Sequence, residues 1–195
     1  GISAEDIRQA MTELEDAPIP LSPLSAPEMQ SDHAGGAASE SDGIFDVSGT
    51  PQGDKLLAAL RKLEIVFLPL TFNDPRQTVI SAVRSEARQT LEKAGIEESL
   101  ISNEKAALLL LMKLERAGNR LVLYVTAHII VQDGSSGRPQ IVKIWERTGE
   151  VGSISQQAIL SGNLPANLRK EIREFFAKLR GDILKAKKTT SEPTK

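Results

Sequence analysis

The stretch that decides the fold is Ala106 to Glu146, "AALLLLMKLERAGNRLVLYVTAHIIVQDGSSGRPQIVKIWE", the most densely apolar part of this 195-residue chain. Ala117-Gly118-Asn119 and Asp133 to Gly137 are turn sequences, so the stretch divides into three strands, Leu108–Leu114, Arg120–Gln132 and Gln140–Arg147. Connections this short make the three an antiparallel meander. Along the middle strand the odd positions Leu121, Leu123, Val125, Ala127, Ile129 and Val131 are all apolar, which is the period of a strand with one face on a core. The even positions should be wet, yet they read Val122, Tyr124, Thr126, His128 and Ile130. In strict alternation the flanking strands add Leu109 and Leu111, and Ile141, Lys143 and Trp145, to that second face.

A patch of this character is larger than a monomer ordinarily leaves in water, so something should cover it. The covering body is a second copy, another protein, or the chain's own residues Ile19, Leu21, Leu24, Ile44 and Phe45. The candidate binding surface is therefore Leu109, Leu111, Val122, Tyr124, His128, Ile130, Ile141, Lys143 and Trp145.

Working outward, "EIVFLPL" from Glu64 is a buried strand, preceded by a short helix "DKLLAALRKL" from Asp54. "NDPRQTVISAVRSEARQTLEKAG" is a helix with Asp74 as N-cap, Pro75 as its first residue and Gly95 just past its end. Val79, Ile80, Val83, Ala87 and Leu91 form its apolar stripe. Beyond the meander, a loop rich in Gly, Ser and Gln leads to a last helix from Ala166 to Lys187, with Leu168, Ile172, Phe175, Phe176, Leu179 and Ile183 inward. The order β-α-β-β-β-α gives an α+β two-layer sandwich, its mainly antiparallel sheet carrying both helices on one face.

Residues 1–53 are expected to lie outside this domain. Ser3 to Glu15 reads as a short amphipathic helix, and Ala17 to Gly53 has the Pro, Ser, Gly and Ala content of a flexible linker, with "IFDV" at Ile44–Val47 as a small apolar plug. The globular domain spans 54–187, and 188–195 reads as a disordered tail. Charge follows the same division. Gly1 to Asp54 holds 11 acids against Arg8 alone, whereas Ala166 to Lys195 holds 9 basic residues against 4 acids.

The composition excludes several chemistries. Without cysteine there is no disulfide, thiolate zinc site or thiol nucleophile. The two histidines, His33 and His128, have no partners at metal-ligand spacing, and a Ser-His-Asp arrangement would have to recruit His128 from mid-strand. "GSSGRPQ" at Gly134–Gln140 lacks the Gly-Lys-Ser/Thr ending of a phosphate loop and precedes a strand, so it reads as a hairpin tip. No cofactor is expected. Nucleic acid is not expected either, because the chain is net acidic (−2) and has no basic-aromatic sheet motif. No run of some 18 apolar residues is present, so no transmembrane helix is expected in these residues, and any membrane tether is expected to lie outside them.

The pattern of a strand, a helix ending "EKAG", then Ala106 to Leu110, Gly118-Asn119 at a hairpin tip, Trp145-Glu146 closing a strand, and a final helix resembles the small envelope domains of the TolB amino-terminal, CsgG and LpoB type. The resemblance covers Glu64 to Leu184. Lys105 to Ala107 stand where that family has Asp-Tyr, and the Asp133–Pro139 loop replaces its short turn. The resemblance implies a periplasmic or outer-membrane-associated binding part and no catalysis. Two functions are thus expected as alternatives. One is a non-enzymatic binding or assembly module of the bacterial envelope that engages a protein partner, or a second copy, through a sheet face or edge. The other is a small ligand-binding or enzymatic domain whose site is Tyr124, His128, Lys143 and Trp145.

Overall fold

The computed structural model describes residues 44–100, 105–134 and 139–191. The expected helix at Ser3–Glu15, the linker to Gly43 and the last four residues of the tail lie outside them. The described elements are β1 (Phe45–Asp46), α1 (Pro51–Ala59), β2 (Lys62–Phe67), α2 (Thr78–Lys93), β3 (Glu97–Glu98), β4 (Ala106–Ala117), β5 (Arg120–Asp133), β6 (Gln140–Ile154), α3 (Gln156–Ser161) and α4 (Ala166–Ser191). They form the expected α+β fold. Six strands lie in the order β1-β6-β5-β4-β2-β3. The β4-β5-β6 meander is antiparallel, and β2 joins β4 in parallel through the α2 crossover.

The helices share a single core with one face of the sheet. Leu108, Leu110 and Met112 of β4, with Leu123, Val125, Ala127, Ile129 and Val131 of β5, cluster with Leu57 of α1, Val83 and Leu91 of α2, and Leu168, Ile172, Phe176 and Leu179 of α4. These are the odd positions of β5 and the apolar stripes of the helices, so period two meets period 3.6 as the sequence pattern requires. Each such leucine, fully removed from water, contributes about 2 kcal/mol of transfer free energy.

Several boundaries differ from the sequence expectation, each for a local reason. The helix expected from Pro75 starts at Thr78, because Asp74 to Gln77 form a turn first, with the Gln77 amide donating to the Asp74 carbonyl. Gln77 takes a left-handed conformation (φ 51°). The Asp74 carboxylate still caps the helix, from further upstream, by accepting from the amides of Thr78, Val79 and Ile80. Asp74→Ala strands those three donors and is expected to cost about 1–2 kcal/mol of stability, read from a urea unfolding curve.

At the other end, α4 runs on to Ser191, past the expected stop at Lys187, and β6 runs on to Ile154 through a stretch expected to be loop. A short helix, α3, is capped by the Ser155 side chain and ended by left-handed Gly162.

The domain also begins earlier than Asp54. Part of the "IFDV" plug is strand β1, paired in parallel with Val142 and Lys143 of β6, and Thr50 caps α1 through a hydrogen bond from the Gly53 amide. A β-carbon at Gly53 would collide with the Val47 carbonyl, so this turn sits tightly against α1. A chain starting at Asp54 loses β1, the Thr50 cap and Val47. It is expected to melt at a lower temperature than a chain starting at Ile44, measured by circular dichroism on both.

Candidate functional site: the second sheet face and the outer edge of β6

Cross-strand register assembles most of the expected surface. Leu109 stands opposite His128, Leu111 opposite Thr126, His128 opposite Glu146 and Tyr124 opposite Glu150, while Ile130 meets Lys143 and Gln132 meets Ile141. Directly opposed residues share a face, so Leu109, Leu111, Val122, Tyr124, His128, Ile130, Ile141 and Lys143 do lie together.

Trp145 does not. Ile129 pairs with Trp145 while the next residue, Ile130, pairs with Lys143, which leaves Ile144 as an extra residue in β6. That bulge turns Trp145 to the helix side. There it is 7% exposed, and its Nε1 donates to Asp182 Oδ2 of α4 at 3.0 Å. Glu146 takes the place beside His128 instead.

The remaining residues are not all surface. Ala107, Leu109 and Ile130 are 0–2% exposed and form a second apolar cluster with Val66 and Ile141 packed on it. His128 is also buried. Leu111, Val122, Tyr124, Ile141 and Lys143 are partly exposed. Part of the face expected to bind is therefore core.

Beside that cluster sits a charged group. Lys143 Nζ lies 2.8 Å from Asp46 Oδ2 of β1 and 2.6 Å from Glu146 Oε2, and fastens the edge strand to β6. Burial works against the Lys143 ammonium, but its hydrogen bonds to Asp46 and Glu146 outweigh that and raise its pKa above the ordinary lysine value. Burial likewise disfavours the Asp46 carboxylate. The Lys143 contact and the Ser48 amide overcome that and lower its pKa.

His128 is pushed down from the ordinary 6.5, first by burial and then by Lys143, with Glu146 and Asp46 pulling the other way. Its Nδ1 is 3.7 Å from Glu146 Oε2 and has no hydrogen-bond partner among the described residues. A lysine neutralised by two carboxylates has little attraction left for an anionic ligand, and a neutral histidine without an oriented partner is a poor base. Tyr124 lies four residues along β5 from His128, about 13 Å away, and Trp145 is on the other side of the sheet. The four-residue ligand site expected from the sequence is not assembled.

The His128 shift has a measurable consequence. Because the folded pKa is depressed, the unfolded chain takes up the proton first as pH falls below 6.5. Stability is full above that value and declines below it until folded His128 protonates too. His128→Gln is expected to flatten this decline, measured as urea midpoints at about pH 7.5 and about pH 5.5.

Elsewhere the buried charges are structural. Arg173 of α4 grips Glu86 of α2 with Nε and Nη2 at 3.0 and 3.1 Å, and Arg84 and Arg88 both pair with Glu98 of β3. Among the described residues no three His, Asp or Glu side chains are grouped as a metal site requires, and no helix is long and apolar enough to cross a membrane. A cavity of about 270 Å³ is lined by Phe72, Leu114, Leu121, Ile159 and Leu160, with Asn73 and Gln156 as the polar residues, and holds no titratable side chain.

A sheet edge was expected as one possible binding surface, but that it is the outer edge of β6, with a groove beside it, was not read from the sequence. β1 pairs with β6 at Val142 and Lys143, and Val47 adds a bond to the Lys143 carbonyl. Among the described residues no strand pairs with that edge from Trp145 to Ile154. Alongside it, α4 leaves a groove of about 380 Å³ lined by Arg147, Glu150, Val151, Gly152, Glu171, Glu174 and Phe175. The sequence signal was there in "RTGEVGS", whose glycines read as loop but sit on a strand.

No family model matches the chain, and no curated protein matches it. Among solved structures it is similar to the PelC dodecamer of Paraburkholderia phytofirmans at 16% identity and a TM-score of 0.38, over 65% of this chain and 90% of that one. A putative lipoprotein of Caulobacter crescentus matches at 13% identity and a TM-score of 0.37, over 73% and 99% of the two chains. A minor lipoprotein of Acinetobacter baumannii matches at 14% and 0.30, over 63% and 91%. Overlap at this level carries neither fold nor function across.

Proposed function

We propose that the chain is a non-enzymatic binding or assembly module of the bacterial cell envelope that engages protein through the outer edge of its sheet. One observation carries the binding role: β6 is 15 residues long, yet β1 covers only its first few positions, and the rest of the edge borders a groove. A strand edge left unpaired among the described residues is a template for another chain, here regular from Trp145 to Glu150 and bent by the bulge at Val151. The burial or pairing of Lys143, His128, Glu86 and Glu98 supports a role without catalysis. The envelope setting is supported by the sequence resemblance over Glu64 to Leu184.

The test is a photo-crosslinking residue in place of Thr148, an exposed position on β6, in cells expressing the full chain. The expected result is a discrete adduct with an envelope protein, in the membrane or periplasmic fraction, that is absent when the probe sits at exposed Arg61 beside the opposite edge. Equal labelling from both positions, or a chain confined to the cytoplasm, contradicts the proposal.

A further inference from the structure

We propose that the groove between the β6 edge and α4 takes an extended segment of another protein whose basic side chains point toward α4. The inference rests on the binding role above and names the partner's chemistry. α4 runs antiparallel to β6: Leu168 and Glu171 lie over Gly152, Phe175 over Gly149, and Asp182 meets Trp145. From Arg147 to Glu150 the edge offers a regular run of backbone, which a bulge at Val151 interrupts before it resumes at Gly152 and Ser153. An added strand there has β6 on one side and the α4 side chains above it, the arrangement in which main-chain bonds supply affinity and alternate side chains supply selectivity.

The charge of the groove selects among such strands. Glu171 and Glu174 of α4 stand beside a single cation of the groove lining, Arg147, whose guanidinium is already stacked 5.1 Å over the Phe175 ring, while Glu150, opposite Tyr124, projects to the other face. Lys170 reaches Glu174 only at the exposed rim, at 3.7 Å. Glu171 Oε2 is buried against Gly152 and has no hydrogen-bond partner among the described residues, an unsatisfied acceptor that a rotation of the carboxylate would turn toward a donor on the added strand. Gly149 and Gly152 leave the floor of the groove without side chains. A β-carbon on Gly152 would collide with the Glu171 carboxylate and the Leu168 side chain, so that residue type is required where α4 crosses. The same charges argue against a second copy as the occupant. Two β6 edges paired about a two-fold axis would bring both sets of glutamates together, which is unfavourable.

The probe is a fluorescein-labelled Lys-Val-Lys-Val-Lys-Val-Lys peptide, titrated with the full chain at low salt and followed by anisotropy. Binding is expected to saturate. It should weaken by about tenfold or more in E171Q/E174Q, and by a similar factor when alternate peptide amides are N-methylated. Both substituted positions are partly or fully exposed and the change is isosteric, so a melting curve will show the variant folded. Equal binding of the Glu-Val-Glu-Val-Glu-Val-Glu peptide, undiminished binding by the variant, or no binding of the basic peptide overturns the assignment. So does a concentration-dependent dimer that vanishes in the variant, because the edge then takes a second copy. If the basic peptide fails while the Thr148 adduct still forms, the partner's chemistry is wrong and the binding role stands. Loss of the adduct as well removes both.

Discussion

Trp145→Ala is expected to lower folding stability by about 3–5 kcal/mol while leaving the sedimentation coefficient of the folded protein unchanged. The residue is 7% exposed and belongs to the main core, between the sheet and α4. The substitution removes that packing and also leaves Asp182 without its indole donor. Trp145→Phe should retain most of the packing and lose the hydrogen bond, at a smaller cost of about 1 kcal/mol from that source. Urea unfolding with sedimentation on the same samples checks both. A nearly neutral Trp145→Ala with altered association would return Trp145 to the second face, as strict strand alternation suggested.

The second large effect concerns Leu109. By register it lies on the face away from the helices, beside His128, and yet it is 0% exposed. Leu109→Ala is therefore expected to cost about 2–5 kcal/mol, comparable with Leu110→Ala on the helix side. A solvated leucine at the same position would lose only a few tenths of a kcal/mol, within the range of ordinary surface substitutions. Equilibrium unfolding of the two variants side by side decides whether the sheet is buried on both faces around Leu109 and Ile130.

Much of the architecture was legible because it depends on periodicity. The uniformly apolar odd positions of β5 and the stripes of α2 and α4 can be buried together in essentially one way, and the α+β sandwich follows from that. Asp74 was recognisable as a cap, though not the turn that separates it from Thr78, since a left-handed Gln77 leaves no mark in composition. The bulge at Ile144 was hidden for a similar reason. Ile144 and Trp145 are both apolar, so either alternation fits the sequence, and only the pairing of Ile130 with Lys143 shows which residue is extra.

That one residue dissolved the expected Tyr124, His128, Lys143 and Trp145 site and put Glu146 beside His128. The edge groove was illegible for a different reason. It joins β6 to α4 residues some twenty positions away in sequence, and Gly149 and Gly152 suggested a loop. Their place in a strand follows from packing under Phe175 and Glu171. Short apolar runs and Gly-bearing strands are where pattern reasoning fails, because tertiary contacts rather than local preference decide them.

The most direct measurement of the central claim is amide hydrogen exchange, resolved by residue, on the full chain with and without the Lys-Val peptide. Slowed exchange is expected along the β6 edge from Arg147 to Ser153 alone, with perturbed resonances at Glu171, Glu174 and Phe175 and no change around Glu97 and Glu98 at the opposite edge. Unchanged exchange along β6, with the effect instead at Tyr124 on the second face or around Phe72 and Leu160, would contradict it.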